Sequence, residues 1–488
     1  MTSRPALSRS SLRWWLALML VSVVFGLAGC AAGPDYRGPD TMPVAAFTSR
    51  AGIATDAPVE QWWRQFADQE LDHLVDTSLR DNPDLAAAEA LVRRARAAAS
   101  VAGAARLPSV NVAGRVSDDK LSRNGESLAL IPISPRTTQF TDYRLGIDAS
   151  WEIDLAGRTR RDVEAAVARL GSAQETRNDA RLIVASEVAA SYVDARVSEA
   201  RLAVARDRRA ASAEIRRLVE LQRKAGIVGD DDFHRAQADA AVADSSVPPL
   251  ESSLEASVFG LAALTGIPAD EIRLRLVGHP GIPQAPRSVP VGLSSEVLKR
   301  RPDVRRAERE LAAATADVGS AVAAQFPRFS LVADAGLDSV RSGELASAAS
   351  RYWNVAPQLS VPLFAGGRLR GQVKAAEAAR DAAVASYRGS VARALSDVES
   401  SFVRYAAARA RSEAADTAAV ALDATVENVE RRRTAGDASS VDVLVAKRAS
   451  DDTREQQIIA VGDASRSYIA VNRALGGGWQ SGQASAGR

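Results

Sequence analysis

The sequence predicts a mainly helical chain with a small β part, in which one order of helices and strands occurs twice in tandem. Two patterns predict this class: long alanine-rich stretches with apolar residues every three or four positions, and short stretches that alternate apolar and polar residues. A third observation is that prolines and glycines recur at a nearly fixed spacing along the 488 residues. Only 5% of the residues are aromatic, so close-packed helices are expected rather than a large aromatic core.

Residues 1–29 are predicted to be an export signal. Three arginines precede an apolar run, Trp14–Gly26, that is too short to span a membrane comfortably and is followed by polar sequence. Leu27–Cys30 then resembles a bacterial lipobox, in which the Cys30 thiol is the acylation site. In such lipoproteins an aspartate after the cysteine favours the inner membrane, whereas Ala31 stands here, so the resemblance implies the outer membrane.

Charge and histidine content argue against several classes of function. Lys and Arg (62) nearly balance Asp and Glu (60), so nothing suggests nucleic acid as a partner. The three histidines are scattered, and no Cys or carboxylate spacing indicates a metal site. The glycine-rich stretches AGGR and ALGGGW lack the lysine and hydroxyl of a phosphate-binding loop. The sequence therefore predicts neither an enzyme nor a cofactor.

The chain repeats its own pattern. Asn82–Gly114 aligns with Arg301–Ala333 at an offset of 219, which places proline on proline. Further on the offset becomes 210, and it holds as far as Gly476. The predicted organisation is a signal at 1–29, an irregular lipidated segment at 30–68, a first repeat at 69–266, an irregular connector at 267–290, a second repeat at 291–476 and a tail at 477–488.

Each repeat is predicted to contain the same elements in the same order. A short helix is followed by a second helix that stops at Pro108 or Pro327, because proline cannot donate the next backbone hydrogen bond. Two strands, a long helix and a return helix follow; a seventy-residue helix spans roughly 105 Å and needs equally long partners. The predicted bounds are about 69–80 and 292–299 for the short helices, 108–117, 142–154, 327–338 and 351–363 for the strands, 157–226 and 367–436 for the long helices, and 231–264 and 441–475 for the return helices.

The predicted strands have one apolar and one polar face. Tyr143, Leu145 and Ile147 begin the clearest apolar face, in alternation with polar residues. About ten residues cross a bilayer when a strand is tilted. A half-buried soluble sheet shows the same alternation, and the outer-membrane lipoprotein signal is what favours the membrane.

Four strands from one chain cannot close a sheet, and open edges are not tolerated in lipid. Two copies would supply eight strands and a lumen filled with side chains, whereas three would supply twelve and could enclose a water-filled pore. The sequence therefore predicts a trimer in which a 12-stranded transmembrane β-barrel is continuous with a tube of long helices.

Several motifs together resemble the TolC-like outer-membrane factor family, nearest to its OprM/NodT-type efflux lipoproteins. They are Cys30–Tyr36 (CAAGPDY), Arg300–Leu331, Leu363–Tyr387 and the closing ALGGGW, and the resemblance covers nearly the whole chain. It implies a homotrimer whose 12-stranded outer-membrane barrel continues into a long periplasmic α-helical barrel. It also implies the exit duct of a tripartite pump, with a periplasmic adaptor and an inner-membrane transporter, commonly of the resistance-nodulation-division class, as partners.

In this family the periplasmic tips of the helical hairpins meet the adaptor and close the channel at rest. The tips here are Lys224–Ala236 and Thr434–Lys447, and the second fits the family pattern except at Val445 and Lys447. The resemblance assigns to the gate or adaptor contact Gly226, Asp230, Asp231, Asp232, Gly436, Ser440, Asp442 and Leu444.

The tip aspartates have a second interpretation, which is helix capping. Aspartate at the start of a helix binds free backbone N–H groups, and for Asp230 and Asp231 this is the preferred interpretation. For Asp442 the capping and gating interpretations are equally favoured. Three copies of one aspartate around an axis would instead attract cations.

Efflux of small toxic compounds is the function that the resemblance implies. One alternative is the outer-membrane duct of a type I protein secretion system. Another is a periplasmic helical adaptor or structural lipoprotein, against which the doubled strand pairs count, because an adaptor needs no lipid-facing strands.

Overall fold

The computed structural model describes residues 31–38, 53–54, 60–122, 138–278, 281–290 and 299–478. The predicted signal and Cys30 lie outside these residues, as does most of the short helix predicted at 292–299. The helices are α1 Gln69–Asp81, α2 Pro83–Ala104, α3 Arg158–Lys224, α4 Asp230–Thr265, α5 Ala269–Gly278, α6 Pro302–Ala323, α7 Arg368–Ala435 and α8 Ser440–Ala474. The strands are β1 Ile53–Ala54, β2 Ser109–Lys120, β3 Gln139–Ile153, β4 Val289–Pro290, β5 Arg328–Ser339 and β6 Arg351–Ser360.

The chain divides into two compact units, and each contains parts of both sequence repeats. The sheet unit comprises Met1–Pro39, Arg93–Gly171 and Glu308–Ala385. The helical unit comprises Asp40–Val92, Ser172–Ala307 and Ser386–Arg488.

The sheet unit contains one antiparallel sheet with the strand order β2-β3-β5-β6. Direct register partners share a face, and one cross-strand row is Val112, Ile147, Ala335 and Trp353. The side chains of this apolar face are largely exposed, with Trp353 at 78%. The predicted alternation is thus present, and within the described residues no protein core packs against its apolar side.

A buried polar network joins three segments of the helical unit. Asp68 caps α1 by accepting from the Glu70 N–H at 3.0 Å, and the Tyr192 hydroxyl donates to Asp68 at 2.9 Å. Arg196 is almost wholly buried; it donates to the Tyr192 hydroxyl at 3.2 Å and to the Leu276 carbonyl at 2.5 Å. Since a buried cation and carbonyl need partners, this network fixes α5 against α3.

Equivalent residues of the two repeats hold equivalent helix ends in the helical unit. The Asn82 carboxamide donates to the Leu264 carbonyl at 2.9 Å, and the Arg301 guanidinium donates to the Ala474 carbonyl at 3.0 Å. Both residues precede the proline that opens a helix. Each therefore ties the last turn of a return helix to the start of the second helix of its own repeat.

The expectation of an irregular connector is wrong in its first part. Pro268 is followed by α5, whose first turn contains Asp270 and Glu271 and whose Ile272 and Leu276 are buried. Two acidic residues favour a helix N-terminus, and apolar residues four apart share one helix face. Packing of that face stabilises α5, although residues 267–290 are rich in proline and glycine.

The segment 31–68 also needs correction, because it is not irregular throughout. A short 3₁₀ helix, Trp62–Phe66, places both tryptophans in the main core of the helical unit, and Ile53–Ala54 pairs with Val289–Pro290. Residues 31–38 belong to the sheet unit instead.

The long elements agree with the sequence pattern. α3 and α7 run for 67 and 68 residues, and the ends of the long and return helices lie within two residues of the expected bounds. α4 continues through Pro248 and Pro249, where Val247 and Leu250 are buried on either side. Tertiary packing there maintains a helix that proline disfavours.

Replacing Arg196 with methionine is expected to lower the free energy of unfolding by about 1–3 kcal/mol, because the buried Leu276 carbonyl loses its donor. Urea unfolding followed by circular dichroism measures this change. The control is Arg206→Met on the same helix, since the Arg206–Glu251 pair is half exposed and is worth at most about 1 kcal/mol. Equal losses in the two variants would show that the network does not hold α5.

Candidate functional site

The long helices of both repeats end in the same way at the two predicted tips. Gly226 and Gly436 have φ values of +75° and +88°, which only glycine adopts without strain. After the first, the Ile227 N–H donates to the Gln222 carbonyl at 2.9 Å; after the second, the Asp437 N–H donates to the Arg432 carbonyl at 2.8 Å. Both turns are Schellman motifs, which reverse the chain within a few residues.

The first tip does not use its aspartates as caps, so the capping interpretation of Asp230 and Asp231 is wrong. Gly229 is the N-cap residue of α4 and has no side-chain cap. Asp230, Asp231 and Asp232 form the first helical turn, where negative charge faces the positive end of the helix dipole.

Asp230 also forms an ion pair across the first tip. Its carboxylate lies 3.1 Å from the Arg223 guanidinium, which is 4.2 Å from the centre of the Phe233 ring. The pair and the cation–π contact connect the end of α3 to the start of α4.

The second tip contains a complete capping box. The Asp442 N–H donates to the Ser439 hydroxyl at 3.1 Å, and the Ser439 N–H donates to the Asp442 carboxylate at 2.8 Å. The donated N–H of Ser439 lowers the pKa of Asp442 below its ordinary value. Asp442 therefore caps α8 through its side chain, and its partner in the capping box is Ser439. The sequence had predicted the adjacent Ser440 as a tip residue instead.

The remaining predicted tip residues occupy different surroundings. Ser440 is exposed at the first position of α8, and Leu444 is partly buried. Leu444 lines a cavity of about 670 Å³ together with residues of α3, α7 and α8, among them Asp451. An ion pair joins the two return helices that start from the tips: the Arg448 guanidinium lies 2.7 Å from the Asp239 carboxylate.

The polar face of the sheet carries a row of carboxylates and carboxamides. Asp148 and Asp334 are register partners, and each accepts from a neighbouring carboxamide at 3.1 Å, that of Asn111 and that of Asn354 respectively. Sequence alternation identified this face as polar, but only the register shows that the four side chains form one row across all four strands.

A second polar cluster lies four residues away along β3 and β5. Arg144 forms an ion pair with Asp338 at 2.8 Å and lies 4.8 Å from the centre of the Tyr352 ring. Gly146 leaves room for the tyrosine, because a Cβ there would come within 2.6 Å of the Tyr352 hydroxyl oxygen.

The segment that follows Cys30 is fixed where β3 meets α3. Ala31 lies so close to Gly157 that a Cβ on this glycine would be 2.7 Å from the Ala31 Cα. Arg161 donates to the Ala32 carbonyl at 3.3 Å and to Asp35 at 2.6 Å, and this hydrogen bond lowers the pKa of Asp35. Within the described ranges, no helix is long and apolar enough to cross a membrane.

Doubled helical hairpins, together with a sheet that exposes an apolar face and gathers polar side chains on the other, are typical of a membrane-inserted duct. The family model of the outer membrane efflux proteins matches residues 74–267 and 293–477. The chain belongs to that family, and it is an outer-membrane efflux channel.

Similar proteins cover almost the whole chain. The toluene efflux pump outer membrane protein TtgC of Pseudomonas putida is 30% identical over 478 residues, which are 96% of this chain and 97% of TtgC. The antibiotic efflux pump outer membrane protein ArpC, also of Pseudomonas putida, has the same identity and coverage. The solved outer-membrane channel OprN is 33% identical, with a TM-score of 0.82 over 92% of this chain and 100% of OprN.

Ser439→Ala and Asp442→Ala are each expected to raise amide hydrogen exchange in the first turn of α8, because each removes one half of the capping box. Hydrogen exchange with mass spectrometry measures the protection of this turn. The matched control is Ser440→Ala, one residue away and outside the box. If Ser439→Ala left the protection unchanged, the cap would not stabilise this tip.

The same cap is expected to depend on pH. Because the folded-state pKa of Asp442 is lowered, its contribution is complete above the ordinary aspartate value of about 3.9 and is lost as pH falls through the lowered pKa. Exchange of the first turn of α8, corrected for intrinsic rates, should therefore accelerate only below about pH 4. A transition between pH 5 and 7 would contradict this assignment.

Proposed function

We propose that three copies of this chain form a continuous duct through the outer membrane and periplasm, through which small toxic compounds leave the cell. The observation that carries this proposal is the exposed apolar face of the four-stranded sheet. A face of this kind is stable against lipid, whereas in water it would favour aggregation.

The edges of the sheet support the trimer. β2 and β6 are the edge strands, and a lipid-embedded edge leaves backbone N–H and C=O groups without partners. Pairing β6 of one copy with β2 of the next satisfies these groups, and three copies give a closed sheet of twelve strands. The row of Asp148 and Asp334 then lines the water-filled side.

The helical hairpins supply the periplasmic part of the duct. We infer that the tips at Gly226 and Gly436 contact a periplasmic adaptor, which links the duct to an inner-membrane transporter of the resistance-nodulation-division type. Asp442 acts there mainly as a cap, because both of its hydrogen bonds from Ser439 lie within its own helix end.

Cys30 is proposed as the lipid anchor in this assembly. Ala31 lies against Gly157, between β3 and α3, so an acyl chain on Cys30 would start near the membrane-inserted strands. The anchor and the sheet would then hold the chain in the same membrane.

Small molecules are the substrates that the comparisons favour over secreted proteins, because relatives are named for toluene and antibiotic efflux. A strain lacking this chain is expected to become sensitive to several organic toxicants and to recover when the chain is restored. Growth on a panel of antibiotics, solvents and metal salts measures this. Unchanged growth on every compound, together with loss of a secreted protein, would support the type I secretion alternative.

Charge changes on the polar face are expected to alter ion selectivity. Asp148→Asn with Asp334→Asn removes six negative charges from a trimer and should lower the preference for cations over anions, whereas Asn354→Asp should raise it. Reversal potentials in planar bilayers under a salt gradient measure the preference. If opposite charge changes had no effect on selectivity, this face would not line the pore.

A further inference from the structure

We propose that Tyr352 determines the size of the largest compound that can pass the sheet part of the pore, and that Gly146 and Gly336 keep it against the wall. While the tyrosine ring lies over the two glycines the lumen is wide, and a side chain at position 146 would narrow it by lifting the ring. This inference rests on the proposed function, because it requires the polar face of the sheet to line a trimeric pore.

The tyrosine belongs to a cross-strand row that has no other large side chain. Tyr352 of β6 is the register partner of Gly336 of β5, which is the partner of Gly146 of β3, and Ala113 of β2 completes the row. Glycine weakens the interior of a strand, so two paired glycines indicate that another group approaches the backbone there. The rows on either side have charged pairs on β3 and β5, namely Asp148 with Asp334 and Arg144 with Asp338.

The group that approaches these glycines is the tyrosine ring itself. A Cβ at Gly146 would come within 2.6 Å of the Tyr352 hydroxyl oxygen, although Tyr352 starts from β6, two strands away. The side chain therefore extends along the sheet rather than away from it. Its exposure agrees with this position, because Tyr352 is partly buried whereas Arg351, Trp353 and Asn354 are exposed.

Arg144 holds the ring in this position. Its guanidinium lies over the Tyr352 ring, 4.8 Å from the ring centre, and the ion pair with Asp338 at 2.8 Å fixes the guanidinium in turn. A cation–π contact of this kind favours the ring beneath the cation. All of these contacts come from β3, β5 and β6 of one chain. They therefore do not depend on the next copy, which pairs along the other side of β6.

The level of this row in the sheet explains why one residue can control size. β3 runs from Gln139 to Ile153, and α3 follows its end, so Gly146 lies near the middle of the strand. Three copies of the chain place three tyrosines at one level of the closed sheet. A change in the position of this ring therefore acts three times on the width of the pore, and pore width limits the passage of large solutes.

Thiol labelling from the outside of intact cells tests this proposal. Ser150→Cys reports from the helix side of the tyrosine row and Ser117→Cys from the other side, and both positions are on the polar face. The labelling rates of a bulky polyethylene-glycol maleimide and a small sulfonated maleimide are compared. The measured quantity is the ratio of bulky to small labelling rates at position 150, divided by the same ratio at position 117. The chain without either cysteine substitution gives the blank for Cys30.

Gly146→Val is expected to lower this ratio by about fivefold or more, and adding Tyr352→Ala should restore it, because the valine narrows the pore only by lifting the ring. The control Gly114→Val places the same side chain on the opposite face, where a Cβ would lie at an ordinary 3.6 Å from the Leu145 side chain, and it should leave the ratio unchanged. An unchanged ratio in Gly146→Val, or a low ratio that persists without the tyrosine, would overturn the proposal. An equal loss in Gly114→Val would overturn it as well.

Tyr352→Ala alone tests the position of the ring without a change at the glycine, and it keeps the proposal testable if Gly146→Val does not reach the outer membrane. The ratio should stay within about twofold of that of the unsubstituted channel, because a ring that lies on the wall leaves the lumen open. A larger rise would show that the tyrosine stands in the lumen and would overturn the proposal. If even the small reagent failed to reach position 150, the polar face would not line a pore, and the proposed function itself would fall.

Discussion

The unmet hydrogen-bonding capacity of a sheet edge is the constraint on which the rest of this structure depends. A single chain supplies four strands, of which β2 and β6 are edges, and its apolar face is exposed. Lipid would solvate the apolar face but would leave the edge N–H and C=O groups without hydrogen-bond partners. Water would hydrogen-bond to the edges but would leave the apolar face exposed to a polar solvent. Closing the sheet with further copies is the arrangement that satisfies both, so oligomerisation follows from the local structure of the strands.

The tandem repeat builds both the sheet and the helical hairpins, and the two repeats use the same structural features at equivalent positions. Gly226 and Gly436 end the long helices in the same motif, and Asn82 and Arg301 hold equivalent helix ends. The two repeats differ at their tips. The first tip has an ion pair at Asp230 and the second a capping box at Asp442, so the two hairpins of each chain have different tip surfaces.

Features that depend on backbone conformation were predictable from the sequence, because proline and glycine act locally. Pro327 ended a helix and Gly436 ended another, as expected. Features that depend on distant contacts were not. Nothing near Arg196 in the sequence indicates that it reaches the Leu276 carbonyl, and that contact helps to fix the unexpected helix α5. The capping serine was missed because Ser439 and Ser440 are adjacent, and only the hydrogen bonds distinguish them.

The number of subunits in the membrane-inserted assembly tests the account most directly. Native mass spectrometry of the protein released from outer membranes in mild detergent counts them without assuming a channel. The account requires three chains, since twelve strands close the sheet around a water-filled lumen. A stable assembly of two chains, or a folded monomer inserted in lipid, would contradict it.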